Sequence, residues 1–232
     1  MNENINRLKN NLDISLKGFI SNYPIKEISQ QGNSFIILGE SDHLWAYIWS
    51  NSKNELIKLI ETYDYKTRYF ASIKDWEKSV IKKYNNVEWE LTTKRFILPE
   101  NIEVNCPKNK VLKLQPDDAD YIYNNSNYKE VTSTGYIKER IQNGVSAGII
   151  KNNKLVAWGL THDDNALGFL HVIKTYRKQG LAIDITKSLV NQLKRESKPV
   201  FVNIESDNFK SIGLAEKIGF CFDKNISWLK VK

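Results

Sequence analysis

The stretch with the clearest chemistry is residues 172–185, which read VIKTYRKQGLAIDI. An apolar strand end is followed there by Arg177 and Lys178, then by Gly180, and then by a helical apolar pattern. A helix that begins near Gln179 presents unpaired backbone N–H groups and the positive end of its dipole, and both attract anions. Gly180 has no Cβ to block close approach, and the two basic side chains add charge. The spacing predicts a strand–loop–helix unit that holds a phosphate group.

A plain surface turn is the alternative for this stretch, because a glycine at the start of a helix is common. The chain contains neither GxxxxGK[ST] nor GxGxxG, so the two best-known phosphate motifs are absent. HExxH and CxxC are absent as well, which removes the usual motifs of metalloproteases and zinc sites. The phosphate would therefore belong to a cofactor that is bound in another way.

The elements around this stretch alternate steadily from residue 111 to the end of the chain. Period-two and apolar runs predict strands at 111–115, 145–151, 154–161, 166–173, 199–205 and from 220 onward. Helical spacing and start signals predict helices at 116–123, 134–143, 179–197 and 208–218. Asn152 and Asn153 predict a two-residue hairpin turn.

The first half of the chain has a different order of elements. Leu8, Leu12, Leu16 and Phe19–Ile20 have helical periodicity. Strands are predicted at 35–38, 44–49 and 87–98, and helices at 55–63 and 73–84. The segment 99–110 has two prolines and mixed polarity, which predicts a boundary between an N-terminal α/β half at residues 1–105 and a second domain at residues 110–232.

Composition and charge narrow the class of protein. The 41% hydrophobic and 26% charged residues are typical of a soluble globular chain. No stretch approaches the ~18 uninterrupted apolar residues of a membrane helix, and MNENINRLKNNLD has no signal-peptide core. Cys106 and Cys221 lie far apart, so we expect a cytoplasmic protein with free thiols. Residues 110–232 carry 19 Lys+Arg against 13 Asp+Glu, a basic excess that attracts phosphorylated cofactors, nucleic acid or membrane surfaces.

Residues 177–182, RKQGLA, resemble the R/Q-x-x-G-x-G/A element of the GNAT superfamily of acyl-CoA N-acyltransferases. Asn208 opens the helix after the next strand, and LAEKIGF at 214–220 is similar to the L-Y-E-K-x-G-F segment of that superfamily. The resemblance covers residues 110–232. It implies an α/β (α+β) fold with a mixed, mostly antiparallel sheet flanked by helices, whose central strands diverge near Val172.

Within the superfamily, the chain most resembles the glycine N-acyltransferase-like group. The similar stretches are AYIWSNSKNELIKLI at 46–60, YIKERIQN at 136–143 and LVAWGLT at 155–161. Because the first of these lies in the N-terminal half, we expect a smaller α/β sheet there, and a degenerate GNAT-like unit is one interpretation of it.

The resemblance implies direct transfer of an acyl group from acetyl-CoA, or from another acyl-CoA, to an amine. In the family the pantetheine lies in the gap between the diverging strands, and the pyrophosphate lies on the loop at the helix start. The cofactor-binding residues implied here are Val172, Arg177, Lys178, Gln179, Gly180, Leu181, Ala182 and Asn208. No metal is expected, because His162-Asp163-Asp164, the one metal-like run, falls in a predicted turn.

Two departures from the family pattern concern the proton transfers. The tyrosine of the L-Y-E-K segment, proposed to protonate the leaving thiolate, is Ala215 here, and the strand position that often carries a glutamate base is Ala166. A base that accepts the proton of the amine would then be His171, with Glu205 acting through water as a reserve. A packed strand histidine and a solvated carboxylate are the alternative interpretations of these two residues.

Three functions stay open at this level. The first is an N-acyltransferase, most simply an acetyltransferase, whose partners are a CoA thioester and a small amine or amino acid. The second is a GNAT-like module without activity, which binds acyl-CoA or a partner and fits Ala166 and Ala215. The third is a nucleic-acid binder, which no RRM, C₂H₂ or basic-helix pattern supports. We therefore expect neither nucleic acid nor membrane as a partner, and a homodimer is allowed.

Overall fold

The computed structural model describes residues 12–232. Its helices are α1 (Ile14–Asn22), α2 (Lys53–Thr62), α3 (Asp75–Tyr84), α4 (Ala119–Asn124), α5 (Thr134–Asn143), α6 (Leu181–Arg195) and α7 (Phe209–Ile218). Its strands are β1 (Ile25–Gln31), β2 (Ser34–Glu40), β3 (Leu44–Trp49), β4 (Tyr69–Lys74), β5 (Val87–Ile97), β6 (Ser146–Lys151), β7 (Lys154–Thr161), β8 (Leu167–Val172), β9 (Phe201–Glu205) and β10 (Cys221–Val231). Short 3₁₀ turns lie at Pro116–Asp118 and Lys174–Tyr176. Leu8 of the predicted first helix lies outside the described residues.

The chain divides into two compact units. The first comprises Met1–Arg95, Glu205–Asp207 and Asp223–Lys232, and the second comprises Phe96–Ile204 and Asn208–Phe222. The division of the chain into domains at residues 99–110 stays a prediction.

The second unit holds the sheet that positions the predicted phosphate loop. The end of β5 lies beside β9, and the order continues through β8 and β7 to β6. β8 is parallel to β9 and antiparallel to β7. One face of this sheet packs on α6 and α7, and the other packs on α4 and α5. The buried side of α6 is formed at the predicted i, i+4 spacing by Leu181, Ile185, Leu189 and Leu193.

The strands of the first unit have helices on both faces as well. Its strand order is β1-β2-β3-β4-β10-β5, with β3 and β4 parallel. α2 and α3 cover one face and α1 covers the other. Arg95, which is 2% exposed, forms ion pairs with Asp13 and Asp223. In both units a sheet is flanked by helices, and the fold class predicted from the sequence is confirmed.

Three segments differ from the prediction. Residues 111–115 are not a strand but form one isolated bridge, Leu112 with Gly148, because Pro116 starts a 3₁₀ turn immediately afterwards. β1 has no unbroken alternation of apolar residues, so it gave no period-two signal. β4 begins inside the aromatic and basic stretch YDYKTRYF at 63–70, and its first buried residue is Phe70.

Candidate functional site

The strands β8 and β9 pair at one position and then separate. In these two fully described strands, the register consists of one pair, Leu167 opposite Val202. β8 instead stays paired with β7 as far as Val172, opposite Ala157. The divergence implied by the resemblance is therefore present, and it leaves an edge of β8 without strand partners.

A β-bulge lies at the point of divergence. Trp158 is opposite His171 and Leu160 is opposite Gly168, so two residues of β8 face the single residue 159. Phe169, one of those two, has a φ of +53°, in the left-handed region that non-glycine residues rarely adopt. A bulge bends its strand and redirects its side chains, and it is frequent beside functional sites. This one lies just beyond the single pair that joins β8 to β9.

The backbone groups of Val172 face the gap. Ile173 donates its N–H to Val156 O on β7 (2.9 Å), so alternation along the strand directs the N–H and C=O of Val172 to the opposite edge. The carbonyl of Val172 accepts a hydrogen bond from Arg177 Nε (3.0 Å). Arg177 thus ties the end of the strand to the loop that follows it.

The loop at 177–180 is exposed and leads into α6. Gly180 has a φ of +79° and stands as the N-cap, so the helix begins at Leu181 and not at the predicted Gln179. A Cβ placed on Gly180 would meet nothing within 4 Å, which means that the space in front of the first turn is open. Lys178 also has a positive φ, of 61°, and Gln179 Oε1 accepts from Lys151 Nζ (3.2 Å). The first N–H groups of α6, at Leu181 and Ala182, follow this loop.

Asp184 secures the first turn of α6 from its buried side. Its carboxylate accepts from Lys108 N (3.1 Å), Asn109 N (2.9 Å) and Asn109 Nδ2 (2.6 Å). Burial works to raise the pKa of Asp184, but these hydrogen bonds outweigh it and the pKa is lowered. The sequence gives no signal for this contact, because the partners lie about 75 positions apart.

His171 lies on the sheet face that packs on α4 and α5. Its ring stacks on the ring of Trp158, with centroids 4.6 Å apart and planes at 13°, and Tyr121 meets Trp158 edge-on at 5.7 Å. Burial first and the positive charge of Arg177 second lower the pKa of His171. A neutral imidazole at pH 7 is able to accept a proton, and the role of His171 as the base stays a prediction.

The other predicted residues have clear local roles. Asn208 Oδ1 accepts from Ser211 N (3.2 Å) and so caps α7. Glu205 is the last residue of β9, half-buried, and belongs to the first unit. Ala166 is buried in the turn between β7 and β8, and Ala215 is buried in α7. Neither alanine brings a proton-transferring group to the fold.

The run His162-Asp163-Asp164 forms the turn between β7 and β8. Asp164 Oδ1 accepts from Ala166 N (2.9 Å), and Asp163 N donates to Tyr136 Oη (3.2 Å). In the described part of the chain, no group of three or more His, Cys, Asp or Glu side chains is placed to hold a metal ion. A membrane-crossing helix is likewise not found among residues 12–232, since none is both long and apolar enough.

Proteins of known structure have a fold similar to that of this chain. The family model described as FR47-like protein matches residues 144–229. A Drosophila protein of known structure is 17% identical with a TM-score of 0.77, over 86% of this chain and 74% of that one. A GCN5-related N-acetyltransferase-like protein from Streptococcus suis is 13% identical with a TM-score of 0.59, over 98% and 97%. No curated protein sequence matches the chain.

A third structure, a tandem GNAT protein from the clavulanic acid biosynthesis pathway, is 10% identical with a TM-score of 0.53, over 94% of this chain and 87% of that one. A tandem arrangement is compatible with the two compact units into which this chain divides. The chain shares the fold of these GNAT proteins.

Proposed function

We propose that the chain is an acyl-CoA-dependent N-acyltransferase that uses acetyl-CoA and a small amine. One observation carries the proposal: β8 and β9 part beside a basic loop that opens α6 through a left-handed Gly180. A thioester arm fits a gap between strands, and a pyrophosphate fits the start of a helix. The two requirements of one cofactor are met at adjacent positions of the chain.

The described geometry supports a set of cofactor contacts. The N–H and C=O of Val172 face the gap and would bind the amides of the pantetheine. The first N–H groups of α6, at Leu181 and Ala182, would bind the pyrophosphate, together with the side chains of the loop residues Arg177, Lys178 and Gln179. Asn208 would act at the far side of the gap, at the start of α7.

The transfer itself needs a neutral amine and a leaving thiolate. The amine nitrogen attacks the thioester carbonyl carbon, its proton passes to His171, and the C–S bond breaks to release CoA thiolate. A thiol with a pKa of ~8.5 is able to leave as an anion, so the reaction does not require an acid that protonates the thiolate, and Ala215 supplies none. Glu205, acting through water, is the reserve base.

A catalytically silent acyl-CoA-binding module is the second candidate. Ala166 and Ala215 favour it, because both stand where the family often carries a group that transfers a proton. Such a module would bind CoA through the same loop and release no thiol from acetyl-CoA when amines are added. Its acceptor side would then serve a partner and not a substrate.

Two measurements separate these candidates. Calorimetry with CoA tests the binding site, and absence of binding would refute both. A thiol-reactive dye then follows acetyl-CoA in the presence of single amines: glycine, glutamate, putrescine, phenethylamine, tryptamine and a lysine peptide. Glycine and glutamate are included because of the resemblance to the glycine N-acyltransferase-like group. Thiol release that depends on one amine supports the enzyme, and CoA binding without release supports the silent module.

A further inference from the structure

The amide oxygen of Asn203 is a buried hydrogen-bond acceptor that the protein does not use. Asn203 lies in β9, and its Oδ1 has no hydrogen-bond partner among the described residues. The other buried side-chain atoms in this state are hydroxyl oxygens, of Tyr63, Ser72, Thr93, Thr132 and Ser146. A buried acceptor without a partner destabilises the folded protein, so a bound donor would compensate for a permanent cost.

The strand register places Asn203 at the opening between the two strands. Val202 and Ile204 pack into the core beside α6 and α7, so alternation directs Asn203 to the opposite face. Leu167 is the register partner of Val202, and the next residue along each strand, Gly168 and Asn203, lies on that face just beyond this single pair. His171 and Trp158 lie on the same face of the sheet. Asn203 therefore flanks the gap on the side of the predicted base.

Aromatic rings form the rest of this face near the gap. The bulge brings Phe169 to it, with the ring of His162 at 4.7 Å and the ring of Tyr136 at 6.1 Å. Gly168 leaves room for this arrangement, since a Cβ there would lie 2.1 Å from His162 Nε2. Phe169 and His162 are both half-buried, so part of each ring is open to a ligand. A flat apolar group is the natural partner of such a surface.

We infer that Asn203 positions the acceptor amine through its Oδ1, and that the acceptor is a primary amine attached to an aromatic group that rests on Phe169. The inference depends on the proposed acyl transfer. A neutral primary amine has two N–H groups and one lone pair. One N–H donated to Asn203 Oδ1 and the other directed to His171 would leave the lone pair free to attack the thioester. On binding, Asn203 Oδ1 would gain the hydrogen-bond donor that it lacks in the free protein.

The first test uses stability and needs no substrate. Asn203→Leu keeps the shape of the side chain and removes the unused acceptor, so we expect the Tm to rise by about 2–4 °C or more. Thr93→Val is the matched control, because it removes an equally buried and unpartnered oxygen from the first unit and should raise the Tm as well. A fall in Tm for Asn203→Leu would mean that the amide supports the fold and would overturn the assignment.

The second test uses phenethylamine as the probe. Asn203→Leu should raise its KM by about tenfold or more, whereas calorimetric acetyl-CoA affinity should change by less than about twofold. Asn203→Asp keeps an acceptor oxygen and should retain most of the amine affinity, and Thr93→Val should leave the KM unchanged. An unchanged KM in Asn203→Leu, or an equal loss in Asn203→Asp, would overturn the role of the oxygen.

The amine panel separates this inference from the proposed function. Thiol release with phenethylamine or tryptamine in preference to glycine, glutamate and putrescine supports the aromatic acceptor. Release with glycine or putrescine but not with the aromatic amines would overturn the acceptor class and leave acyl transfer intact. No release with any amine, in a protein that binds CoA, would instead overturn the proposed function.

Discussion

Gly180→Val tests the phosphate site most directly. Gly180 has a φ of +79°, and a Cβ at this position would contact no other atom within 4 Å. The substitution therefore creates no clash inside the protein, and its two effects are separable. One is the strain of a β-branched residue in the left-handed region, and the other is the loss of the space that a pyrophosphate would occupy.

The strain should cost about 1–3 kcal/mol of folding free energy. For a chain of this length each kcal/mol lowers the Tm by about 2–4 °C, so the free protein should melt several degrees lower. The affinity for CoA should fall by more than tenfold, which corresponds to about 1.4 kcal/mol or more. Differential scanning fluorimetry measures the first effect, and calorimetry well below the Tm measures the second.

Gly213→Val is the matched control. Gly213 lies in α7, is exposed, and also has nothing within 4 Å of an added Cβ, but its φ is not positive. Because valine and glycine differ little in helix propensity, the change should alter stability by less than about 0.5 kcal/mol and leave CoA affinity unchanged. If Gly180→Val loses stability but binds CoA as tightly as the wild type, the pyrophosphate does not lie at the start of α6.

Three further predictions concern single side chains. His171→Ala should lower kcat/KM for the identified amine by about 10²-fold with CoA affinity retained, and His43→Ala, in the first unit, should not; equal activities would remove the assigned base. Asp184→Asn should cost about 1–3 kcal/mol in urea unfolding at neutral pH. Because the pKa of Asp184 is lowered in the folded protein, its carboxylate stabilises the fold at pH values above the ordinary aspartate pKa. This stabilisation is lost as the pH falls through the folded pKa, so the difference in stability between the variant and the wild type should vanish in acid. Arg95→Ala removes a buried cation from the half-buried Asp13 and the exposed Asp223 and should cost about 1–3 kcal/mol, and a loss below about 0.5 kcal/mol would show that the ion pairs contribute little.

The local pattern was enough to predict the strand, loop and helix around Gly180. Apolar residues every three or four positions define α6, and a glycine before them marks its start, so both signals lie within about 15 residues. α5 and β7 were predicted with their observed bounds for the same reason. The parting of β8 and β9 came from the resemblance, because no local pattern reports how far two distant strands stay paired.

The contacts that shape the site depend on residues far apart in the chain. Trp158 stacks on His171 because a bulge shifts the register of two strands by one residue. Gly168 inside β8 is a signal for a bulge, but it does not say which residues of the next strand then become opposite. In the sequence, Asp184 is an acidic residue in the first turn of a helix, a position that suggests an interaction with the helix dipole. In the structure, its carboxylate instead accepts hydrogen bonds from Lys108 and Asn109, which no local pattern indicates. Asn203 is visible in the sequence as a polar residue within an apolar strand, but the missing partner of its Oδ1 is a property of the folded chain.

Arg177 connects cofactor binding with the proton transfer, and this connection is testable through pH. Its positive charge helps to lower the pKa of His171, and its Nε is fixed on Val172 O, one residue away from that histidine. Arg177→Ala should therefore raise the pKa of His171 towards its ordinary value, so the acidic limb of kcat/KM should move to higher pH. CoA affinity should also fall and depend less on salt. Lys178→Ala removes a neighbouring charge and should weaken CoA binding without moving the limb. A limb that stays in place in Arg177→Ala would mean that the base is another group or that the guanidinium does not act on it.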